Sequence, residues 1–287
     1  MDGRVFELNA IPQMTDTDIE TLLAALTRET RRIERLDLSF GAVWIKRYGT
    51  ERPPVWTKAQ TALACLFGQP FLRPSPYLDS RGMVAREIRR ITAFAGRGVP
   101  VPQVLYSSGS ALVLSDVAPT VTARLDVLRN TDPTAHDALL VACAADLGAL
   151  HGEGLCHGRP HPRDFFVAGE RIGFMDFEEE PDAAMPLAVA QARDVWLLFL
   201  QLTDRALLGE ATAGKAYAAW RARAPAAAEA ELARMLQFLG KFLSPTRLIG
   251  RVHMGSDLRR FLAATGYLSE VLLPPRPADA SKAGKDD

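Results

Sequence analysis

The pattern of apolar and polar positions divides the chain into a first part with strands and a second part that is helical. Near the start, helical spacing is carried by Ile19, Leu22, Leu23 and Leu26. The Thr-Asp-Thr-Asp run at 15–18 is suited to capping that helix. Residues 32–38 and 42–48 alternate or group apolar side chains as half-buried strands do, and Ser39-Phe40-Gly41 predicts the turn between them.

The same kind of pattern continues to about residue 115. Residues 81–97 are predicted to form a helix that carries Glu87, and Gly98-Val99-Pro100-Val101-Pro102 ends it, because proline disfavours helix in the residue before it. Residues 104–106 and 111–114 then predict two further strands.

From about residue 120 the pattern becomes helical. Asp132-Pro133 predicts the start of a helix that runs to Leu150, and the Ala- and Leu-rich residues 186–270 are predicted to be helical throughout. This segregation of strands from helices predicts an α+β fold. We divide the chain into a β-rich lobe at 1–115, a helical lobe at 116–272 and a disordered tail at 273–287.

Composition narrows the class of protein. The 34 Lys and Arg residues balance the 34 Asp and Glu residues, so bulk charge gives no argument for a nucleic acid partner. The three cysteines have no metal-ligand spacing, which favours a reducing compartment. The first residues lack a secretory pattern, and no run of about 18 apolar residues occurs. We therefore expect a cytoplasmic protein.

Two neighbouring segments carry most of the functional information. The first is His157-Gly158-Arg159-Pro160-His161-Pro162-Arg163-Asp164, and the second is Ile172-Gly173-Phe174-Met175-Asp176-Phe177-Glu178. The pair resembles the catalytic loop and the metal-binding strand of protein-kinase-like phosphotransferases. The resemblance implies a two-lobed kinase-like fold, with a small β-rich lobe and a larger helical lobe, that binds ATP and Mg²⁺.

The resemblance also implies a role for each of seven residues. Lys46 would contact the nucleotide phosphates, with Arg47 as a competitor for that role, and Glu87 would pair with Lys46. Asp164 and Asp176 would bind the metal, since Mg²⁺ prefers oxygen ligands. His157 would organise the loop, and Asp194 would brace it from a helix.

Arg159 is the main departure from the kinase pattern, because the catalytic Asp is expected there. Arginine cannot accept a proton, but it can bind a phosphate with two hydrogen bonds. Three hypotheses stay open. The protein could be a nucleotide-binding pseudokinase, it could use Asp164, His161 or a substrate group as a substitute base, or it could transfer another part of the nucleotide.

Two details indicate which kinase-like group is nearest. The Asp-Phe-Glu-Glu sequence at 176–179 and the Arg193-Asp194 pair resemble bacterial lipopolysaccharide (Kdo/heptose) kinases, and the position of Glu87 resembles that in aminoglycoside phosphotransferases. The implied activity is ATP- and Mg²⁺-dependent transfer to a hydroxyl of a sugar, a lipid-linked saccharide or a protein. The alternative is a regulatory binding module without phosphotransfer.

Residues 53–78 are rich in apolar side chains and carry few charges. An ordinary packed helix is the favoured interpretation. The alternative is a surface that contacts the membrane interface, which would make the protein peripheral on the inner membrane.

Overall fold

The computed structural model describes residues 13–28, 31–49, 55–117, 119–250 and 254–273, with only the backbone of 55–58. The first part contains α1 (Asp16–Thr27), β1 (Ile33–Leu38), β2 (Gly41–Arg47), α2 (Val55–Phe67), α3 (Ser80–Ala95), β3 (Val104–Ser107) and β4 (Ala111–Ser115). The second contains α4 (Val121–Thr131), α5 (Pro133–Gly152), β5 (Phe165–Ala168), β6 (Arg171–Phe174), α6 (Leu187–Arg205), α7 (Glu210–Arg221), α8 (Ala226–Leu239), α9 (Leu243–Gly250) and α10 (Ser256–Leu272).

Helix α1 begins with the cap that its sequence predicts. The Thr15 hydroxyl accepts a hydrogen bond from the Asp18 amide, and the Asp18 carboxylate accepts one from the Thr15 amide at 2.9 Å. The same carboxylate accepts a hydrogen bond from the Ser39 amide at 2.8 Å. Asp18 therefore fixes both the start of α1 and the turn between β1 and β2.

The four antiparallel strands of the first part are ordered β1-β2-β4-β3. Side chains of neighbouring residues in a strand point to opposite faces of the sheet. Ile45 and its cross-strand neighbour Val113 lie on the face that packs with Leu22 of α1. Lys46 and its neighbour Leu112 lie on the other face, where Leu112 belongs to the large core shared with the helices.

The helical part has a dense core that is continuous with the sheet. Trp220 of α7 is fully buried, and α5 approaches α7 so closely that a Cβ on Gly148 would lie 2.5 Å from the Trp220 carbonyl oxygen. Phe94 of α3 and Phe174 of β6 belong to the same core, with ring centroids 6.3 Å apart. The core thus joins the sheet, α3 and the helical region.

The two-stranded hairpin β5–β6 joins the two functional segments of the sequence: β5 follows the first segment, and the second segment begins within β6. Phe165 pairs with Phe174. Asp164, which precedes Phe165, and Met175, which follows Phe174, therefore lie next to each other at the open end of the hairpin. The Met175 amide donates to the Asp164 carbonyl at 2.9 Å. Gly173 is required within the hairpin, because a Cβ there would lie 2.2 Å from the Phe166 ring.

The α+β prediction is confirmed, and so are the strands and helices predicted before residue 115. Residues 186–270 are mainly helical, but the prediction of helix throughout is wrong at the breaks between α6 and α10, one of which contains Gly209 with φ of +63°. The disorder predicted for 273–287 concerns residues that, except for Leu273, lie outside the described part.

The apolar segment 53–78 forms α2 and a short 3₁₀ turn at Pro70–Leu72, with residues 53–54 outside the described part. Phe71 is buried and its ring lies 5.8 Å from that of Phe238 in α8. The segment thus packs against the helical region. No helix among the described residues is both long and apolar enough to cross a membrane.

Candidate active site

Lys46 lies at the centre of a cluster of three carboxylates. Its Nζ is 3.0 Å from Glu87 Oε2, 2.7 Å from Asp176 Oδ1 and 2.8 Å from Glu178 Oε1. The side chain is almost fully buried, which by itself would lower the pKa of Lys46, but the three carboxylates outweigh burial and raise it. Lys46 is therefore a cation at neutral pH that donates hydrogen bonds to Glu87 and Asp176, with Glu178 as a third ion-pair partner.

Glu87 reaches Lys46 from the middle of α3, as the sequence predicts. It is 1% exposed, and it also accepts a hydrogen bond from the Tyr48 hydroxyl. Burial raises the pKa of Glu87, against the attraction of Lys46. Arg90, one turn along α3, donates to the carbonyls of Cys156 and His157. Helix α3 is thus tied both to the Lys46 strand and to the loop that begins at His157.

Asp176 follows β6 and has an unusual backbone conformation. Its φ of +66° makes it the one non-glycine residue with positive φ in the described part of the chain. Burial acts to raise the pKa of Asp176, but the nearby Lys46 ammonium dominates and lowers it. Asp176 is consequently ionised at neutral pH, with its second oxygen available to another partner.

Asp164 lies across the open end of the hairpin from Asp176. Burial, and then the negative charge of Asp176, raise the pKa of Asp164 to about 6. A divalent cation between the two carboxylates would remove their repulsion, and Mg²⁺ commonly binds through one or two carboxylates together with water and phosphate oxygens. The donor set therefore fits such a metal. No group of three or more His, Cys, Asp or Glu side chains arranged to enclose a metal occurs among the described residues.

The predicted brace is present in full. Asp194 of α6 is completely buried and accepts hydrogen bonds from the backbone amides of His157 and Gly158, the latter at 2.9 Å. His151 Nε2 lies 3.4 Å from the same carboxylate. Trp220 Nε1 donates to His151 Nδ1 at 3.0 Å, so the neutral ring carries its proton on Nε2 and points it at Asp194.

His157 fixes the loop through its ring as well as its backbone. The ring is buried among Phe165, Phe174 and Phe177, and its Nε2 lies 3.1 Å from the Met175 carbonyl oxygen. Burial lowers the pKa of His157 to about 4, so the ring is neutral and donates this hydrogen bond. It acts as a positioning residue that holds the backbone immediately before Asp176.

Arg159 differs from its neighbours in being exposed. Within the described part of the chain it makes neither a hydrogen bond nor a salt bridge. It lines a cleft of about 1110 Å³ together with Asp176 and Glu178, and its charge helps to lower the pKa of Asp176. A free guanidinium at this position can bind an anionic group that enters the cleft.

His161, one of the candidate substitute bases, is poorly placed for that role. Burial, together with the positive charge of Arg163, lowers the pKa of His161 to about 4. Its Nδ1 accepts a hydrogen bond from the Arg163 amide at 3.0 Å. The neutral ring therefore offers Nε2 as a donor, not as a proton acceptor.

Arg47, the competitor of Lys46, is engaged elsewhere. Its guanidinium donates to the Ala25 carbonyl at 2.7 Å and pairs with Glu34 at 2.9 Å, which ties α1 to β1. The sequence also gave no indication that Glu178 bridges Lys46 and Arg32, whose Nη2 lies 2.6 Å from Glu178 Oε2. No local feature of the sequence identifies the partners of Glu178.

Comparisons with known proteins add little beyond these observations. No family model matches the chain. A stretch of 112 residues, 39% of the chain, is 30% identical to an uncharacterized protein of Haemophilus influenzae. That match spans 44% of the Haemophilus protein. Among solved structures, the complex of Rv3197 with erythromycin from Mycobacterium tuberculosis aligns over 84% of this chain and 74% of that one, at 15% identity and a TM-score of 0.34. An overlap this loose does not establish a shared fold.

Proposed function

We propose that the chain is a kinase-like phosphotransferase, with a nucleotide-binding lobe at 1–115 and a helical lobe at 116–272. The observation that carries the proposal is the cluster formed by Lys46, Glu87 and Asp176, with Asp164 across the hairpin end. It combines a buried cation suited to phosphate oxygens with two carboxylates suited to Mg²⁺. The resemblance of the two sequence segments to kinase motifs supports the same conclusion.

Each part of the site then has a specific task. Lys46 would bind the α- and β-phosphates of ATP, and Asp164 and Asp176 would hold Mg²⁺ against the phosphates. When bound, the metal would neutralise charge on the transferring group. The acceptor hydroxyl, on a sugar, a lipid-linked saccharide or a protein, would enter the cleft beside Arg159. The guanidinium there would stabilise negative charge on the phosphoryl group.

Among the candidate bases, one residue is suited to remove the proton of the acceptor hydroxyl. Asp164 has a pKa near 6, which is in the useful range for a base at neutral pH. Binding of Mg²⁺ to the same carboxylate would lower its basicity, so its two roles compete. Phosphoryl transfer depends mainly on positioning and electrostatics, and an enzyme with a weak base at this position can still function.

A nucleotide-binding module without phosphotransfer is the second candidate. One observation favours it: Arg159, at the position where kinases have the catalytic Asp, cannot accept a proton. In either candidate, the nucleotide phosphates would have to displace Glu178 from Lys46. The binding module would show ligand binding without turnover.

Thermal unfolding in the presence of MgATP tests the binding step. A ligand that binds only the folded state raises Tm. We expect a shift for the wild type at millimolar MgATP, and its loss in Asp176→Asn. The exposed Asp126→Asn, on α4, removes a carboxylate outside the site and should keep the shift. A wild type that does not respond to MgATP would contradict the proposal.

Turnover of the same samples separates the two candidates. ATP consumption that is lost in Asp176→Asn and reduced in Arg159→Lys would support the phosphotransferase, because lysine keeps the charge but loses the two-pronged donor. Binding without consumption would support the binding module. In that case Arg159→Asp, which restores the residue usual in kinases, should introduce slow ATP hydrolysis.

A further inference from the structure

Exposed apolar side chains are concentrated at one place on the surface. Of the seventeen large apolar residues that are exposed in the described part of the chain, seven fall within two short segments, 63–67 and 242–254. We call these seven the apolar patch: Leu63, Leu66, Phe67, Phe242, Leu248, Ile249 and Met254. Leu66 is 75% exposed and Leu248 is 63% exposed. Their clustering distinguishes them from the scattered apolar residues found on most surfaces.

The two segments are distant in sequence but adjacent in space. The Phe67 ring at the end of α2 lies 6.4 Å from the Phe242 ring, measured between centroids. Helix α9 starts directly after Phe242, and its eight residues extend about 12 Å. Met254 folds back onto this helix, since a Cβ on Gly250 would lie 2.4 Å from Met254 Cε. The end of α2 therefore lies beside the start of α9, and the rest of the apolar patch lies along α9 and at Met254 beyond it.

The charges in these two segments have a single sign. Residues 59–72 contain no charged side chain, and residues 240–250 contain Lys241 and Arg247 but no carboxylate. Both cations are exposed. Surfaces that insert into the interface of an anionic bilayer combine exposed leucine, isoleucine and phenylalanine side chains with neighbouring lysine and arginine.

From this arrangement we infer that the apolar patch docks the protein on an anionic lipid bilayer. The apolar side chains would enter the headgroup–acyl boundary, and Lys241 and Arg247 would face the lipid phosphates. The inference concerns α2 and α9 and holds whether or not the chain is a phosphotransferase.

Docking would also orient the cleft. Ala64 and Cys65 of α2 line the cleft that contains Arg159, whereas Leu63, Leu66 and Phe67 of the same helix belong to the apolar patch. The cleft would therefore open close to the lipid headgroups. For the proposed phosphotransferase, this placement selects acceptors that are held at a membrane surface.

Co-sedimentation of the full chain with lipid vesicles tests the inference. We expect the wild type to sediment with vesicles that contain phosphatidylglycerol, and to bind much less to pure phosphatidylcholine. The double variant Leu66→Glu/Ile249→Glu should lower the partition coefficient by about tenfold or more, since it replaces inserted apolar groups with charges. Lys241→Glu/Arg247→Glu should weaken binding to the vesicles that contain phosphatidylglycerol and leave binding to pure phosphatidylcholine unchanged. Added salt should also weaken binding to the phosphatidylglycerol vesicles.

A matched variant controls for nonspecific effects. Val127 of α4 is 58% exposed and lies outside the apolar patch, so Val127→Glu should bind vesicles like the wild type. All substituted side chains are exposed, and thermal unfolding should give wild-type Tm values. Absence of wild-type binding, or equal loss in Val127→Glu, would overturn the inference. So would concentration-dependent dimerisation that Leu66→Glu/Ile249→Glu abolishes, because the patch would then be an interface between copies of the chain.

Discussion

The loop at 157–164 has a buried side and a side that faces the cleft, and the two sides are held in opposite ways. At its start, Asp194 is fully buried and accepts two backbone amides, with His151 and Trp220 behind it. On the cleft side, Arg159 is exposed and the Glu178–Arg32 pair is partly open to solvent, with side chains 22% and 37% exposed. The buried end sets where Asp164 and Asp176 lie, whereas the cleft side holds groups that can exchange partners.

This difference predicts very different energies for similar substitutions. Removing one partner of a buried charged contact typically costs about 3–5 kcal/mol, whereas exposed ion pairs are worth about 0–1 kcal/mol. Substitutions at the buried end should therefore act on the free energy of unfolding, and those on the cleft side on ligand binding.

The largest effect is expected from Asp194→Ala. It leaves two buried amides and the His151 N–H without an acceptor, and we expect the free energy of unfolding to fall by about 3–5 kcal/mol. Urea titration followed by circular dichroism measures it. Asp126→Asn, an exposed substitution, should change the value by less than about 0.5 kcal/mol. A loss below about 1 kcal/mol for Asp194→Ala would mean that the brace is not a stabilising element.

A smaller effect is expected from pH acting on His157. Its pKa is about 4 in the folded state against 6.5 for an ordinary histidine, so the unfolded chain binds the proton more readily. The stabilisation is fully present above pH 6.5 and is lost as the pH falls from 6.5 towards 4, by up to about 3 kcal/mol.

Urea titrations at several pH values in this range measure how steeply the free energy of unfolding changes with pH. His157→Leu should flatten this slope, and His161→Gln gives the share of the other histidine with a pKa near 4. An unchanged slope in His157→Leu would show that the ring is not buried in the neutral form.

The buried ion pair between Lys46 and Glu87 should show coupling in a double-mutant cycle. Each partner stabilises the charge of the other in a dry environment, so Lys46→Met and Glu87→Gln should be non-additive by about 0.5–3 kcal/mol in the free energy of unfolding. The cycle of Arg47→Met and Glu87→Gln is the control, since Arg47 contacts Glu34 instead. Additive effects for Lys46 and Glu87 would show that the contact contributes no net energy.

The smallest effect belongs to the cleft side. Glu178→Gln removes the ion pair between Glu178 and Lys46, and we expect the Kd for MgATP to fall by roughly two- to fivefold, equivalent to about 0.5–1 kcal/mol. Glu179→Gln makes the same change at the next residue, which contacts Ser75 and not Lys46, and should leave the Kd unchanged. Isothermal titration calorimetry measures both. Weaker binding by Glu178→Gln would mean that Glu178 assists the ligand instead of competing with it.

Local signals explain most of what the sequence predicts correctly. The cap of α1, the turn before Gly41 and the break after α3 depend on neighbouring residues, and all three are present, although α3 ends at Ala95 and Gly98 with φ of +68° marks the break before the prolines. The contact of Lys46 with Glu87 and the brace at Asp194 came from the resemblance to kinase motifs, and both contacts are confirmed. Their functional roles stay predictions.

What the sequence does not indicate depends on contacts between distant residues. Arg32 and Glu178 are 146 residues apart, and neither has a local feature that identifies its partner. The contact of Phe67 with Phe242 is not indicated either, because the two residues are 175 positions apart and meet only through helix packing. Periodicity reports which face of a helix is apolar, but not which helix lies beside it.

The left-handed backbone at Asp176 has an evolutionary consequence. A non-glycine residue in this conformation carries a strain of order 1–3 kcal/mol, which glycine would relieve at once. Selection for a stable fold therefore favours Gly at this position, while the metal binding proposed for Asp176 would favour the carboxylate. In descendants of this chain that had lost the chemistry, position 176 should be among the first to change to Gly, even where the buried Asp194 brace is kept.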